Sequence, residues 1–202
     1  PVSKRRHDPH RRDRIVEACL EVIAQEGVGG TSHRKVAAVA DVPLGSMTYH
    51  FTGMDHLLRE ALTRFGTKVS DRFEERMTKA ENREEAVREV VELITDDVFA
   101  DHRDLVITHE LYTLAARDPS YRDITRNWMR RSRAALERHF DPLTARMLDA
   151  LIEGVTIHNA LDTTPKGREE VIEAVERITA RAPEAGSPPA APDGGGAGAD
   201  RT

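Results

Sequence analysis

From Ile15 to Ile178 the apolar side chains recur at helical spacing and nowhere in the strict alternation of a strand, which confines the chain to an all-α fold. Ile15, Cys19, Val22 and Ile23 share one face of a first helix, and Gly27, Gly29 and Gly30 are placed to stop it. Thr31 or Ser32 can cap a short second helix that turns Val36 and Ala40 inward. Asp41-Val42-Pro43 interrupts it, and a third short helix runs from about Leu44 to Phe51. After Gly53, Asp55 can cap a longer helix bearing Leu58, Leu62, Phe65, Val69 and Phe73. Further amphipathic runs carry Val87 to Val98, then Leu105, His109, Tyr112 and Ala116, then Ile124, Trp128, Ser132, Ala135 and His139. Pro142 suits the first turn of a helix reaching Leu161, and Val171, Val175 and Ile178 mark a last one. The expected total is about nine helices. Aromatics make up only 4% of the 202 residues, which also argues against a β fold.

Charge divides the chain. The net charge is −5, which excludes a uniformly basic nucleic-acid coat but leaves room for one positive face. Six basic residues stand against two acidic ones in the first 14, so residues 1–10 read as a flexible basic arm, and Lys4, Arg5, Arg6, Arg11 and Arg12 as candidates for the minor groove. Residues 182–202 are mostly Ala, Gly and Pro, a composition that cannot bury enough surface to offset its ordering entropy; a disordered tail is expected there. Cys19, the single cysteine, cannot form an intrachain disulfide, fits a reducing cytoplasm, and sits on the inward face of the first helix as a core residue. No apolar run is long enough for a membrane span, so no membrane association is expected.

Two short helices around a tight break, over residues 32–51, have helix-turn-helix geometry, in which the second helix enters the major groove of DNA. In that second helix Met47 and Phe51 can face the core. Leu44, Gly45, Ser46, Thr48, Tyr49 and His50 are left on the other side, with small residues for close approach and hydroxyls that suit phosphate. Asp41 can take the left-handed conformation the turn needs.

The run Thr31-Ser32-His33-Arg34-Lys35-Val36-Ala37, then Asp41 through Phe51, with Arg14-Ile15-Val16 before it and Leu57-Leu58 after it, resembles the DNA-binding domain of the tetracycline-repressor (TetR) family over about residues 11–65. The resemblance implies a three-helix DNA-binding head at residues 11–53. It also implies a helical effector-binding and dimerisation body at residues 54–181. It assigns His33 and Arg34 to the DNA backbone and an outer base, Leu44, Gly45 and Ser46 to base edges, and Tyr49 and His50 to phosphates, with Thr48 beside them. The chain departs from the family pattern at Asp41, where Gly is usual, at Thr48, where Tyr is usual, and at Met54, where a Lys is common. The implied partners are double-stranded DNA with a palindromic operator, a small-molecule effector and a second copy docked through the C-terminal helices.

His109, Tyr112 and Trp128 are the expected lining of an effector pocket. No cofactor, metal site or catalytic residue is expected. The histidines lack metal-ligand spacing, and there is no nucleophile elbow or phosphate loop. The leading expectation is a homodimeric transcriptional repressor in the cytoplasm, released from its operator by an effector. The competing readings are a helical ligand-binding protein or enzyme on the same fold, and a helical interaction adaptor.

Overall fold

The computed structural model describes residues 9–97, 102–164 and 167–180. Lys4, Arg5 and Arg6 of the arm, Val98 and the tail at 182–202 lie outside the described residues. Nine α-helices and no strand occur among the described residues: α1 (Arg11–Gly30), α2 (His33–Val39), α3 (Gly45–His50), α4 (Met54–Lys79), α5 (Arg83–Glu92), α6 (His102–Arg117), α7 (Arg122–Leu136), α8 (Pro142–Leu161) and α9 (Arg168–Thr179). A π-helical turn, Leu93–Asp97, extends α5, and a 3₁₀ turn, Pro119–Tyr121, leads into α7.

Local chemistry sets most of these ends. The Ser32 hydroxyl accepts from Lys35 N–H and caps α2, and Asn82 caps α5 by accepting from Glu85 N–H at 2.9 Å. Asp141 accepts from Leu143 N–H at 3.0 Å and Thr144 N–H at 3.1 Å, with Pro142 in the first turn of α8. Gly27 does break α1, at a φ of 73°, but hydrogen bonding resumes through Gly30. That conformation suits glycine, and a Cβ there would also lie 3.2 Å from the Glu110 carboxylate, which accepts from Val28 N–H at 2.7 Å. The structure corrects two expectations. Asp55 does not cap α4; Gly53 occupies the cap position, no side chain bonds it, and the Asp55 carboxylate accepts instead from the Tyr121 hydroxyl. His139 falls beyond α7, which ends at Leu136, and its Nε2 lies 2.8 Å from the Met77 carbonyl.

Two cores hold the molecule together. The first joins Ile15, Ile23, Val36, Met47, Phe51 and Leu62 to Ile107, Leu111, Tyr121 and Ile124. The N-terminal helices therefore share their core with α6 and the start of α7. The second core gathers Phe73, Met77, Val90, Leu136, Leu148, Val155 and Val175 at the far end. The 26-residue α4 runs from one to the other. Each fully buried side chain of Leu or Phe size stabilises the fold by about 1.5–3 kcal/mol. Polar contacts fix how α1 and α7 sit on α4. Arg12 pairs with Glu60 and lies 5.1 Å above the Phe51 ring, Arg64 pairs with Asp13 at 3.0 Å, and Arg131 grips Glu74 at 2.7 Å. Arg12, a candidate for the minor groove, is thus engaged with α4.

Candidate nucleic-acid interface and cavity

The α2–α3 unit is built around Asp41, which at a φ of 50° is the sole non-glycine residue with positive φ among the described residues. A short polar side chain tolerates this left-handed position better than a bulky one. The turn lets Val42 N–H reach the Ala37 carbonyl at 3.0 Å and sets α3 across α2. Met47 at 0% and Phe51 at 2% exposure root α3 in the first core. The opposite face stands in solvent: Leu44 is 50% and Tyr49 84% exposed, and nothing lies within 4 Å of where a Gly45 Cβ would be. The rings of Tyr49 and His50 meet edge to face at 4.9 Å.

The other sequence-derived candidates are less uniform. Arg34 is exposed on α2. Neighbouring Lys35 is tied back to Glu26 and to the Gly30 carbonyl, the latter at 2.9 Å. His33 is half-buried, and its Nε2 is enclosed without a hydrogen-bond partner. Thr48 is exposed, but its hydroxyl donates to the Gly45 carbonyl of its own helix at 3.2 Å. Ser46 is half-buried at the start of α3.

A cavity of about 320 Å³ opens where the two cores meet, between α4, α6, α7 and α8. That is the size of a small-molecule site. Tyr112 and Trp128 line it, stacked with ring centroids 6.2 Å apart, and Phe65 meets Trp128 edge-on at 6.0 Å. His109 is not among the lining residues; its Nδ1 lies 2.7 Å from the Leu105 carbonyl of its own helix. Asp104, Thr108 and Tyr112, four apart along α6, face the cavity, and His109 lies about 100° round the helix from Thr108.

Sequence reasoning missed the polar groups of this wall. Ser70 of α4 is 2% exposed, and its hydroxyl has no hydrogen-bond partner. Asp149 and Glu153 of α8 also line the cavity. The legible signal was two carboxylates four residues apart inside the otherwise apolar run Met147 to Val155. Burial raises the ionisation range of Tyr112, and the nearby Glu153 carboxylate raises it further, so the phenol stays neutral.

Outside these two places the chemistry is quiet. Among the described residues no group of three or more His, Cys, Asp or Glu is placed to hold a metal ion, and no helix is long and apolar enough to cross a membrane. Burial pushes the Cys19 thiol up to about 12, so it remains an unreactive core group near neutral pH.

A helix-turn-helix with a solvent-facing second helix, joined by one long helix to a helical bundle, is the architecture of a DNA-binding regulator. The comparisons give the family. Residues 15–61 match the bacterial regulatory proteins of the tetR family, and residues 81–181 match the tetracyclin repressor-like C-terminal domain. SCO7518 of Streptomyces coelicolor A3(2), a solved structure assigned to transcriptional regulation, is 55% identical. The likeness covers 85% of this chain and 99% of that one, with a TM-score of 0.80. EbrR, a multidrug binding protein, has been solved with imidazole, proflavin, ethidium and malachite green. Its ethidium complex is 34% identical over 83% of this chain and 98% of that one, with a TM-score of 0.69. HdnoR of Paenarthrobacter nicotinovorans, a nicotine-responsive transcriptional repressor, is 23% identical over 116 residues, 57% of this chain and 60% of that one. The curated relatives are matched over only 32% to 60% of their own length. The chain belongs to the TetR family of transcriptional regulators, which are DNA-binding proteins and not enzymes.

Proposed function

We propose that this protein is a homodimeric repressor that occupies a palindromic operator in the cytoplasm and releases it when a small molecule enters the cavity. In this reading residues 11–53 bind DNA and residues 54–181 bind the effector and the second copy. The observation that carries it is α3, whose buried Met47 and Phe51 present Leu44, Gly45 and Tyr49 to solvent at the end of a rigid unit. Arg34 on α2 and the Tyr49 hydroxyl supply phosphate and base-edge contacts, and Ser46, Thr48 and His50 flank them. His33 supports the start of α2 from its half-buried position.

Dimerisation is supported by α8. Leu143, Met147, Ala150, Gly154, Ile157 and Leu161 follow one another at spacings of four and three, the seam pattern of paired helices. Leu143 is 61%, Met147 46% and Leu161 67% exposed, and nothing lies within 4 Å of a Cβ at Gly154. A second copy laid along this stripe covers it and supplies the second head that a palindrome needs.

A path for release runs through Asp104. This cavity-lining carboxylate pairs with Arg72 of α4 at 3.2 Å and with Arg103 at 3.3 Å. Arg103 in turn holds Glu21 at 3.1 Å and Glu17 at 3.8 Å on α1 of the head. A molecule that displaces Asp104 loosens the same guanidinium that orients α1. Arg103→Ala is expected to lower effector-free operator affinity toward the effector-bound level and so to shrink the effector's influence on it. Coupling between two such sites is typically 5- to 150-fold. The check is operator affinity with and without saturating effector.

The test of the whole reading is selection of bound sequences from a random DNA pool. A palindromic consensus with half-sites about one helical turn apart is the expected result. No enrichment, or an asymmetric single site, would sink the dimeric-regulator reading.

A further inference from the structure

We propose that α3 reads thymine by its C5-methyl group, with the Leu44 side chain as the contact, so that each half-site carries a thymine distinguished from uracil and cytosine by that methyl. The proposal rests on α3 being the DNA-reading helix and names the base chemistry it recognises. Bidentate readout of guanine takes Arg or Lys, that of adenine Asn or Gln, and cytosine is read by Asp or Glu. From Leu44 to His50 the chain contains none of these residue types. Nor does α2 supply a substitute. Lys35 is tied to Glu26 and to the Gly30 carbonyl, the latter at 2.9 Å. Arg34 stands exposed on the first helix of the motif, which crosses the DNA backbone. Asp41 belongs to the turn ahead of α3.

What α3 offers instead is hydroxyls and one exposed aliphatic side chain. The Thr48 hydroxyl already donates to the Gly45 carbonyl at 3.2 Å, and Ser46 is half-buried. Such hydroxyls bond to different bases and so discriminate poorly. His50 is half-buried at the C-terminal end of α3, its ring against Tyr49, whereas base edges are met by the N-terminal residues of a recognition helix. Leu44 stands at that N-terminal end. It is exposed and belongs to neither core, while Met47 and Phe51 behind it are buried. Beside it Gly45 has nothing within 4 Å of where a Cβ would be, so the backbone can come close to the bases. An aliphatic group held in water on a rigid unit gains by covering another apolar group. Among the base edges of the major groove, the thymine methyl is that group.

The probe is the duplex selected from the random pool, with thymine replaced by deoxyuridine at one position of each half-site at a time. Uracil keeps every hydrogen-bonding group of thymine and loses only the methyl. At one position wild-type protein is expected to bind about fourfold more weakly for each half-site altered, and about 15-fold more weakly when both are altered. At that position a 5-methylcytosine·guanine pair is expected to bind more tightly than cytosine·guanine, because it restores the methyl. Leu44→Ala protein is expected to bind the thymine and uracil duplexes equally. If no uracil substitution weakens wild-type binding, or if the two cytosine duplexes bind equally, methyl readout falls while DNA binding stands. If Leu44→Ala protein keeps the preference for thymine, the contact belongs to another residue and the assignment falls. If the pool yields no bound DNA, the DNA-reading role of α3 falls and this inference with it. The wild-type comparison needs no variant, and the Leu44→Ala result is a ratio between two duplexes, so a loss of stability cannot imitate it.

Discussion

Met147→Glu is expected to give a folded monomer that has lost operator binding by about 100-fold or more. The residue is 46% exposed in the isolated chain, so the added carboxylate meets water and costs the monomer fold little. In the proposed dimer it would lie in the stripe that includes Leu143, Ala150, Gly154, Ile157 and Leu161, where the carboxylate would be desolvated against the partner's copy of itself. Loss of the dimer removes the second head, and a single head engages only one half-site. Sedimentation or light scattering reads the mass, and fluorescence anisotropy with the selected operator reads affinity. A Met147→Glu dimer with unchanged operator affinity would remove α8 from the interface. Val155→Glu is the contrast: Val155 is 9% exposed in the second core, so its failure would report folding and not assembly.

Tyr49→Ala is expected to weaken operator binding by about 10- to 100-fold with thermal stability unchanged, the scale of one good base or charge-assisted contact. At 84% exposure the phenol buries almost nothing within the chain, and its one ring contact is with neighbouring His50. Nothing in the fold requires an aromatic ring there. Arg34→Ala should act in the same direction and lower the salt dependence of binding as one phosphate contact is lost. The two effects should add, since the side chains stand on different helices. Full-strength binding by both variants would mean that DNA meets another face of the head.

The helical period, Pro142 at the start of α8 and the left-handed Asp41 were legible from single residues and their neighbours, because helix propensity, capping and turn conformation are local properties. The helix-turn-helix was legible for the same reason, since its two helices and its turn span only about twenty residues. Asp55 shows where local reasoning failed. A carboxylate near a helix start is a natural cap, but the Tyr121 hydroxyl, 66 residues away, captures it. His109 sits a single step round α6 from the residues that line the cavity. The sequence placed it on an apolar face, and only the packing of α6 between α1 and the cavity decides that Thr108 and Tyr112 look inward while His109 bonds its own helix.

Periodicity by itself determined that this chain is all-helical, the spacing of two short helices around Asp41 pointed to a helix-turn-helix, and residue type made Tyr112 and Trp128 the largest amphipathic side chains of the middle body. Each follows from side-chain identity at short separation. The tertiary structure decided the rest of the cavity. Ser70, Tyr112, Trp128 and Glu153 come from four helices spread over more than eighty residues, and only the α4–α6–α7–α8 packing brings them to one wall. It also decided which charges are available. Asp104 and Asp149 pair with arginines, whereas among the described residues no Lys or Arg pairs with Glu153. Pairing of that kind depends on distances between helices, which no period in the sequence encodes.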